Sequence, residues 1–249
     1  MTELRYYERK GRPRLAYRHR EGIGPTLVFL PGYMSDMEGS KAQALMAYAE
    51  AEDRACLLFD YSGCGSSDGA FEEQAIADWR DDVIDLVNAL VLGPVVLIGS
   101  SMGGWTMLLA AIAQPERIAA LVGIAAAPDF TDWGFTDEEK ATIQRDGKLE
   151  QPSDYDTTPY VTSRTFWESG EANRLLGGEI PIDCPVRLFH GQQDEDVPCE
   201  VSVELARRLR SADVHVNLVK DGDHRLSRVE DVARLLAQIK WLLESLKGH

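Results

Sequence analysis

Long apolar runs, basic clusters and N-terminal signals are all missing from these 249 residues. No stretch of about 18 apolar residues could span a bilayer, and the N-terminus has no apolar core of a secretory signal. The 26 Lys and Arg residues form no basic run, are outnumbered by 41 acidic residues, and leave a formal net charge of −15. Nucleic acids and anionic membrane surfaces require a positive face, so we expect neither nucleic-acid binding nor membrane insertion.

Motifs for metals and cofactors are also missing. Cys56, Cys64, Cys184 and Cys199 form no CxxC pair and no cluster with histidine, which predicts free thiols in a reducing compartment. No apolar strand pattern is followed by G-x-G-x-x-G, and the P-loop pattern is absent. We therefore predict neither a bound metal nor a cofactor.

The N-terminal residues 1–20 are rich in arginine, as transit peptides are. However, Glu3 and Glu8 interrupt the positive charge, while Gly11 and Pro13 would break a helix. Apolar and polar residues alternate there as they do in strands, which predicts a β-hairpin. The lack of a transit peptide favours a cytoplasmic location.

Short apolar runs alternate with helical patterns along most of the chain. The runs span 26–32, 55–61, 94–100, 118–126, 186–191 and 213–219, and most of them are continuously apolar, as strands covered on both faces must be. Apolar positions at helical spacing fall near 36–50, 72–92, 102–114, 198–210 and 227–246. This alternation predicts an α/β fold with a mostly parallel central sheet and helices on both faces.

Residues 128–180, here called the insertion, interrupt the alternation. They contain 7 of the 20 aromatic residues in about a fifth of the chain: Phe130, Trp133, Phe135, Tyr155, Tyr160, Phe166 and Trp167. The insertion is either a small satellite core or an aromatic-lined helical cap over a pocket. We predict the cap, on a core domain formed by 1–127 and 181–249. We expect its acidic residues to face solvent and to disfavour anionic groups near the entrance; they include Asp129, Asp132, Asp137, Glu138 and Glu139.

Two segments match G-x-S-x-G, a turn that places a nucleophilic serine between a strand and a helix. The match at 99–103 follows an apolar run directly and opens into an apolar helical pattern, as such a turn requires. The match at 65–69 lies inside a polar loop, so we interpret it as an ordinary turn. Ser101 is therefore the predicted nucleophile, and Ser67 is not.

A serine hydroxyl needs an adjacent base, and that base needs an orienting acid. Asp194 follows the apolar run 186–191 and His224 follows the run 213–219, where the sites of open α/β sheets gather. Either residue alone has an ordinary explanation, as a turn acid or a loop histidine. Their joint placement predicts an acid and a base for Ser101, and His190 is the one other histidine expected nearby.

Acyl transfer also requires hydrogen-bond donors for the developing oxyanion. The backbone N–H of Met102, at the predicted helix N-terminus, is the first candidate. The N–H of Tyr33, after the turn at Pro31-Gly32, is the second. The residues predicted to contact the substrate are Tyr33, Trp105, Trp133, Phe135 and Trp167.

Five segments resemble the α/β-hydrolase superfamily, and the resemblance covers nearly the whole chain. They are LPGYMSDMEGSKA (30–42), FDYSGCGSSDG (59–69), GSSMGGW (99–105), HGQQDEDVP (190–198) and DGDHRLS (221–227). The combination of PGYMSDMEG with GDHRLS is similar to a narrower branch, which contains palmitoyl-protein thioesterases that also cleave mycophenolic acid acyl-glucuronide, with their bacterial relatives.

The resemblance implies that Ser101 is the nucleophile, Asp194 the acid and His224 the base. It also implies that the insertion is a cap between the sixth and seventh strands. One departure concerns the oxyanion loop, where many members have His-Gly and this chain has Pro31-Gly32. The glycine turn is kept, while the hydrogen bonds around it differ. Without a transit peptide, the chain resembles the cytosolic bacterial members.

Together these features predict a cofactor-free serine hydrolase that cleaves esters or thioesters with an apolar acyl or aryl part through an acyl-enzyme. One alternative is a C–C bond hydrolase or lyase that uses the same three residues. Another is a catalytically silent protein that binds small molecules on this fold. The predicted partner is a small ester or thioester, and a homo-oligomer stays open.

Overall fold

An eight-stranded β-sheet runs through the centre of the computed structural model, which describes residues 2–152 and 159–246. The strands of this sheet and of a small second sheet are β1 (Arg5–Tyr7), β2 (Leu15–Arg20), β3 (Ile23–Leu30), β4 (Arg54–Phe59), β5 (Val95–Ser100), β6 (Ile118–Ile124), β7 (Lys148–Gln151), β8 (Tyr160–Ser163), β9 (Val186–Gly191) and β10 (Val214–Val219). The helices are α1 (Ser40–Ala51), α2 (Ile76–Leu90), α3 (Met102–Ala113), α4 (Phe130–Trp133), α5 (Asp137–Asp146), α6 (Arg164–Ala172), α7 (Glu200–Arg208) and α8 (Val229–Ser245).

The main sheet has the spatial order β1-β2-β4-β3-β5-β6-β9-β10. Strands β4 to β10 in this order pair in parallel, whereas β1 pairs with β2 and β2 with β4 in antiparallel fashion. The mostly parallel sheet confirms the predicted fold class, and the antiparallel pair at one edge confirms the N-terminal hairpin.

The apolar runs are continuous because both faces of the sheet are covered. In β3, Val28 and Leu30 belong to the core cluster shared with α2 and α3, whereas Leu27 and Phe29 belong to the cluster shared with α1 and α8. Successive strand residues point to opposite faces, so consecutive residues of such a strand are both buried and mostly apolar. All four cysteines are free thiols, as predicted. Across the described residues, no helix has the length and apolarity needed to cross a bilayer.

The insertion leaves the sheet after β6 and returns to it at β9. It forms α4, α5, the antiparallel pair of β7 and β8, and α6. Thr136 and Glu139 form a reciprocal capping box that starts α5, and Gly147, with φ of 85°, ends it. Phe166 of α6 is buried against Trp79 of α2, with ring centroids 5.4 Å apart. The insertion therefore packs directly on the core, although Tyr155, one of its predicted aromatics, lies outside the described residues.

Candidate active site

Ser101 occupies the turn between β5 and α3. Its φ of 53° lies in the left-handed region, which is unfavourable for residues with a Cβ. A Cβ added to Gly103 would lie 2.2 Å from the carbonyl oxygen of Leu30, and one added to Gly99 would lie 2.3 Å from that of Gly103. The two glycines of the motif are therefore required by backbone packed against the turn.

The hydroxyl of Ser67, in the second G-x-S-x-G match, forms hydrogen bonds that hold its loop in place. Its hydroxyl donates a hydrogen bond to the backbone oxygen of Asp60 at 2.7 Å and accepts one from the N–H of Ala16 at 2.8 Å. The serine ties its loop to β2 and β4. Its interpretation as a turn residue agrees with these contacts.

Ser101, His224 and Asp194 are joined by two hydrogen bonds. The distance from Ser101 Oγ to His224 Nε2 is 3.1 Å, and that from His224 Nδ1 to Asp194 Oδ2 is 2.8 Å. The three side chains come from loops that follow β5, β9 and β10. In a neutral imidazole, Nδ1–H donates to the carboxylate while Nε2 accepts from the hydroxyl. The contacts predicted from the sequence are present, in a geometry that suits proton transfer from serine to histidine.

The carboxylate of Asp194 is surrounded by donors. Oδ1 accepts the N–H groups of Asp196 at 3.0 Å and Val197 at 2.8 Å. Oδ2 lies next to His224 Nδ1 and 3.1 Å from His190 Nε2, and the side chain has no exposed surface. Burial raises the pKa of Asp194, but the two neighbouring histidines and the N–H of Val197 outweigh it and hold the pKa well below its usual range. The group therefore stays ionised at neutral pH.

Asp196 and Asp223 are the other acids next to this site. Asp223 Oδ1 accepts the N–H of Leu226 at 2.9 Å, so its carboxylate shapes the loop that carries His224. In the described part of the chain, one group has the ligand types for a metal: Asp194, Asp196 and His224, with atoms within 4.8 Å of one another. The hydrogen bond between His224 and Asp194 already engages two of the three.

The two residues predicted to donate to the oxyanion are Met102, next to Ser101 in sequence, and Tyr33, which follows Gly32. Met102 is the first residue of α3, so its N–H belongs to the unpaired first turn of a helix. Gly32 lies beside the serine, since a Cβ added there would be 3.4 Å from the Cβ of Ser101. Within residues 2–152 and 159–246, no acceptor is bonded to the N–H of Tyr33 or of Met102. Their assignment as an oxyanion hole stays a prediction.

A cavity of about 490 Å³ opens beside Ser101 and His224. One part of its lining is aromatic: Phe29 and Tyr33 from the core, and Phe130, Trp133, Phe135 and Tyr160 from the insertion. A volume of this size is typical of small-molecule sites. Three of the five residues predicted to contact the substrate therefore line the cavity. Phe130 and Tyr160 also line it, but they were not predicted as substrate contacts, although both are aromatic residues of the insertion.

Trp105 and Trp167 are not among the lining residues, contrary to the sequence prediction. Trp105 is fully buried in the core, and its indole N–H donates to the backbone oxygen of Asn173 at 3.2 Å. The indole N–H of Trp167 donates to the backbone oxygen of Thr131 at 3.1 Å, inside the insertion. Both rings support the structure around the cavity and do not face it.

Among the described residues of the insertion, no acid lines the cavity either, so the expected barrier to anions is not supported. Asp129 is buried and accepts the N–H groups of Leu175 and Leu176, each at 2.7 Å. Besides His224, the charged lining residues are Asp36, Lys41, Asp196 and Arg225. Burial, together with the nearby charge of Arg225, lowers the pKa of Lys41 to about 8. The cavity thus has cations in its wall although the protein is acidic.

Tyr33 connects the predicted oxyanion loop to the insertion. Its hydroxyl donates a hydrogen bond to the backbone oxygen of Val161 in β8 at 2.6 Å. Its ring lies 5.0 Å from Phe166, 5.1 Å from Phe71 and 6.0 Å from Phe130, measured between centroids. Burial raises the pKa of the Tyr33 phenol, so the hydroxyl keeps its proton and remains a donor.

Comparison with known proteins places these features in a wider context. A family model described as alpha/beta hydrolase fold matches residues 25–146. The mitochondrial palmitoyl-protein thioesterase ABHD10 of Homo sapiens is 41% identical, over 98% of this chain and 81% of the human protein. The solved structure of alpha/beta hydrolase domain-containing protein 10 from mouse matches with a TM-score of 0.92 at 39% identity, over 98% of this chain and 99% of that chain. The 2-hydroxymuconate semialdehyde hydrolase of Pseudomonas sp. (strain CF600) is 24% identical over 80% of each chain.

The prediction of a cytoplasmic location is wrong on this comparison. The similar proteins from Homo sapiens, Pongo abelii and Rattus norvegicus are all named as mitochondrial. The prediction rested on the composition of the N-terminal residues. This chain covers 81% of the human protein, so the residue at which the chain starts carries no information about location.

We expect Gly103→Ala to destabilise the protein and to lower its activity. The added Cβ would meet only backbone, at 2.2 Å from the oxygen of Leu30 and 2.4 Å from that of Pro31. Such overpacking costs about 1–3 kcal/mol, measurable as the free energy of unfolding in urea. Gly93→Ala is the matched control, because nothing lies within 4 Å of its added Cβ. Equal stability of the two variants would contradict the packing argument.

We also expect a pH-dependent contribution of Asp194 to stability. Its pKa is lower in the folded protein than in the unfolded chain, so the ionised carboxylate stabilises the fold above the unfolded pKa of about 3.9. That contribution is lost as the pH falls through the lower folded pKa. The unfolding free energy of the natural protein should therefore approach that of Asp194→Asn between about pH 5 and pH 2 in urea titrations. A constant difference between the two curves would argue against the lowered pKa.

Proposed function

Because this chain belongs to the alpha/beta hydrolase family, we propose that it is a serine hydrolase that cleaves carboxylic esters or thioesters. The observation that carries the proposal is the hydrogen-bonded series from Ser101 through His224 to Asp194 beside the cavity. The aromatic part of the lining favours an apolar acyl or aryl group. The name of the human relative, a palmitoyl-protein thioesterase, favours an acyl thioester with a long apolar chain.

In the proposed acylation, Ser101 Oγ attacks the acyl carbonyl carbon while His224 Nε2 takes the hydroxyl proton. The carbonyl oxygen becomes an oxyanion, which accepts hydrogen bonds from the N–H groups of Met102 and Tyr33. The C–O or C–S bond to the leaving group then breaks, and His224 returns the proton to the leaving oxygen or sulfur. The acyl group is left on Ser101 as an ester.

Deacylation repeats these steps with water as the nucleophile. His224 takes a proton from the water, whose oxygen attacks the acyl carbon, and the same two N–H groups hold the second oxyanion. The bond to Ser101 Oγ breaks as His224 gives the proton back to the serine. Asp194 keeps the Nδ1–H tautomer of His224 and stabilises the imidazolium that forms in both halves of the reaction.

The insertion would act in this reaction as a cap, on a core formed by 1–127 and 181–249. Phe130, Trp133, Phe135 and Tyr160 belong to it and line the cavity, whereas Ser101 and His224 belong to the core. An apolar acyl chain held between the two would lose contact with water and gain contact with aromatic rings. The proposed partner is accordingly a small-molecule ester or thioester.

We expect Ser101→Ala to lower kcat by about 10⁴-fold or more without loss of folding, because the covalent route disappears. A fluorophosphonate probe followed by intact mass should label the natural protein and fail to label this variant. Ser67→Ala is the control serine, and it should keep labelling and most of the activity. Labelling that persists in Ser101→Ala would refute the assigned nucleophile, while an unlabelled natural protein would favour the silent binding protein.

We expect kcat/KM to rise with acyl length until the cavity is full. Each added methylene removed from water contributes roughly 0.8 kcal/mol, close to fourfold if the gain persists in the transition state. The series consists of acyl thioesters from about two to about sixteen carbons, the upper length being that of a palmitoyl chain. In this series, Trp133→Ala should make kcat/KM depend less steeply on acyl length. Trp167→Ala is the matched control, since this ring does not line the cavity. If both variants fold and show the same weaker dependence on acyl length, direct contact between Trp133 and the acyl chain would be refuted.

A further inference from the structure

A second imidazole, that of His190, contacts the carboxylate oxygen that accepts the hydrogen bond from His224. His190 lies in β9, is fully buried, and has Nε2 3.1 Å from Asp194 Oδ2. The same Nε2 lies 2.9 Å from the backbone oxygen of Val197. Two oxygen acceptors therefore face this nitrogen, and both require it to carry a hydrogen.

Ser202 determines what the other ring nitrogen of His190 does. Its Oγ lies 2.7 Å from Nδ1, and the side chain belongs to a fully buried residue in α7. In a neutral ring that carries its hydrogen on Nε2, Nδ1 is an acceptor, and the hydroxyl of Ser202 donates to it. Each polar atom of this pair then has a partner, which a buried site requires.

We propose that His190 is a positioning residue for Asp194, held in its Nε2–H tautomer by Ser202. Through the proposed hydrogen bond to Oδ2, His190 fixes the carboxylate in the place from which it orients His224. This inference rests on the proposed function, because it assigns a task to the acid of that site. It extends the series of hydrogen bonds to Ser202, His190, Asp194, His224 and Ser101.

The shared oxygen has an electrostatic consequence. A hydrogen bond from His190 disperses the negative charge on Oδ2, so Asp194 holds the protonated form of His224 less strongly than an isolated carboxylate would. The other ionisable groups nearby are Asp196, within 4.8 Å of the Asp194 and His224 atoms, and the thiol of Cys199. Asp223 lies in the loop of His224, and Lys41 and Arg225 lie in the cavity wall. None of these groups is altered in the variants below.

A buried histidine with two satisfied nitrogens also stabilises a fold without any role in the reaction. The two explanations differ in what a substitution changes. A purely structural residue affects the free energy of unfolding and the melting temperature. A residue that positions Asp194 also changes kcat at constant KM and changes the pH at which kcat/KM is half-maximal.

Steady-state kinetics of His190→Leu and His190→Gln separate these explanations. We expect His190→Leu to lower kcat about tenfold to a hundredfold with little change in KM, because Asp194 loses its fixed position. The pH of half-maximal kcat/KM should rise by about 0.5–1 unit, since the undispersed charge holds the imidazolium of His224 more strongly. His190→Gln keeps an N–H donor and should recover most of both effects.

The control is His215→Leu, which removes a half-exposed histidine from β10 that lies outside the cavity lining. It should leave kcat, KM and the pH profile unchanged. The proposal is overturned if His190→Leu lowers only the melting temperature. It is also overturned if His190→Gln behaves like His190→Leu, because the donor would then not matter.

Long-range ¹H–¹⁵N NMR of the natural protein tests the tautomer without turnover. We expect His190 to carry its hydrogen on Nε2, and Ser202→Ala to weaken this preference and lower kcat severalfold. A hydrogen on Nδ1 in the natural protein would overturn the proposal. The spectrum reports the tautomer of His190 whether or not the protein is active. Activity that survives in Ser101→Ala would therefore refute the proposed function without changing the NMR result.

Discussion

The backbone turn at Ser101 is the constraint on which the rest of the site depends. A residue with a Cβ adopts φ of 53° at a cost, and the surrounding packing has to hold it there. The glycine at 103 allows the first turn of α3 to lie directly against the end of β3. Gly32, which precedes Tyr33, lies beside the serine in the same region. One close approach of two backbones thus sets the position of Ser101, the proposed nucleophile, relative to the neighbouring loop.

A buried negative charge organises the other half of the site. Asp194 has no exposed surface, and a carboxylate in that position is tolerated only when its oxygens are well supplied with donors. Two backbone N–H groups hold one oxygen, while His224 lies beside the other. The anion is therefore permanent over the neutral pH range. It gives the imidazole a fixed direction, which a mobile loop acid such as an exposed aspartate would not provide.

The core could be predicted from the sequence because its physics is local and periodic. Continuous apolar runs such as β3 occur only where both faces are covered, and the flanks of Ser101 and Ser67 differ enough to separate an elbow from a turn. The direction of a side chain is different, because it depends on the packing of distant elements. Nothing near Trp105 in the sequence reveals that its ring turns toward Asn173, and the composition of the insertion does not reveal that Asp129 is buried.

The bond from the Tyr33 hydroxyl ends on a backbone oxygen, and the identity of the side chain at position 161 is therefore immaterial to it. Residues of β8 can be exchanged during evolution without loss of this attachment, provided that the strand itself persists. The same strand supplies Tyr160 and Thr162 to the cavity wall. The cavity wall and the attachment to the core thus depend on different atoms of one short segment: side chains in the first case and a backbone oxygen in the second. In the proposed enzyme, such a segment could change its substrate range while the residues beneath it stay the same.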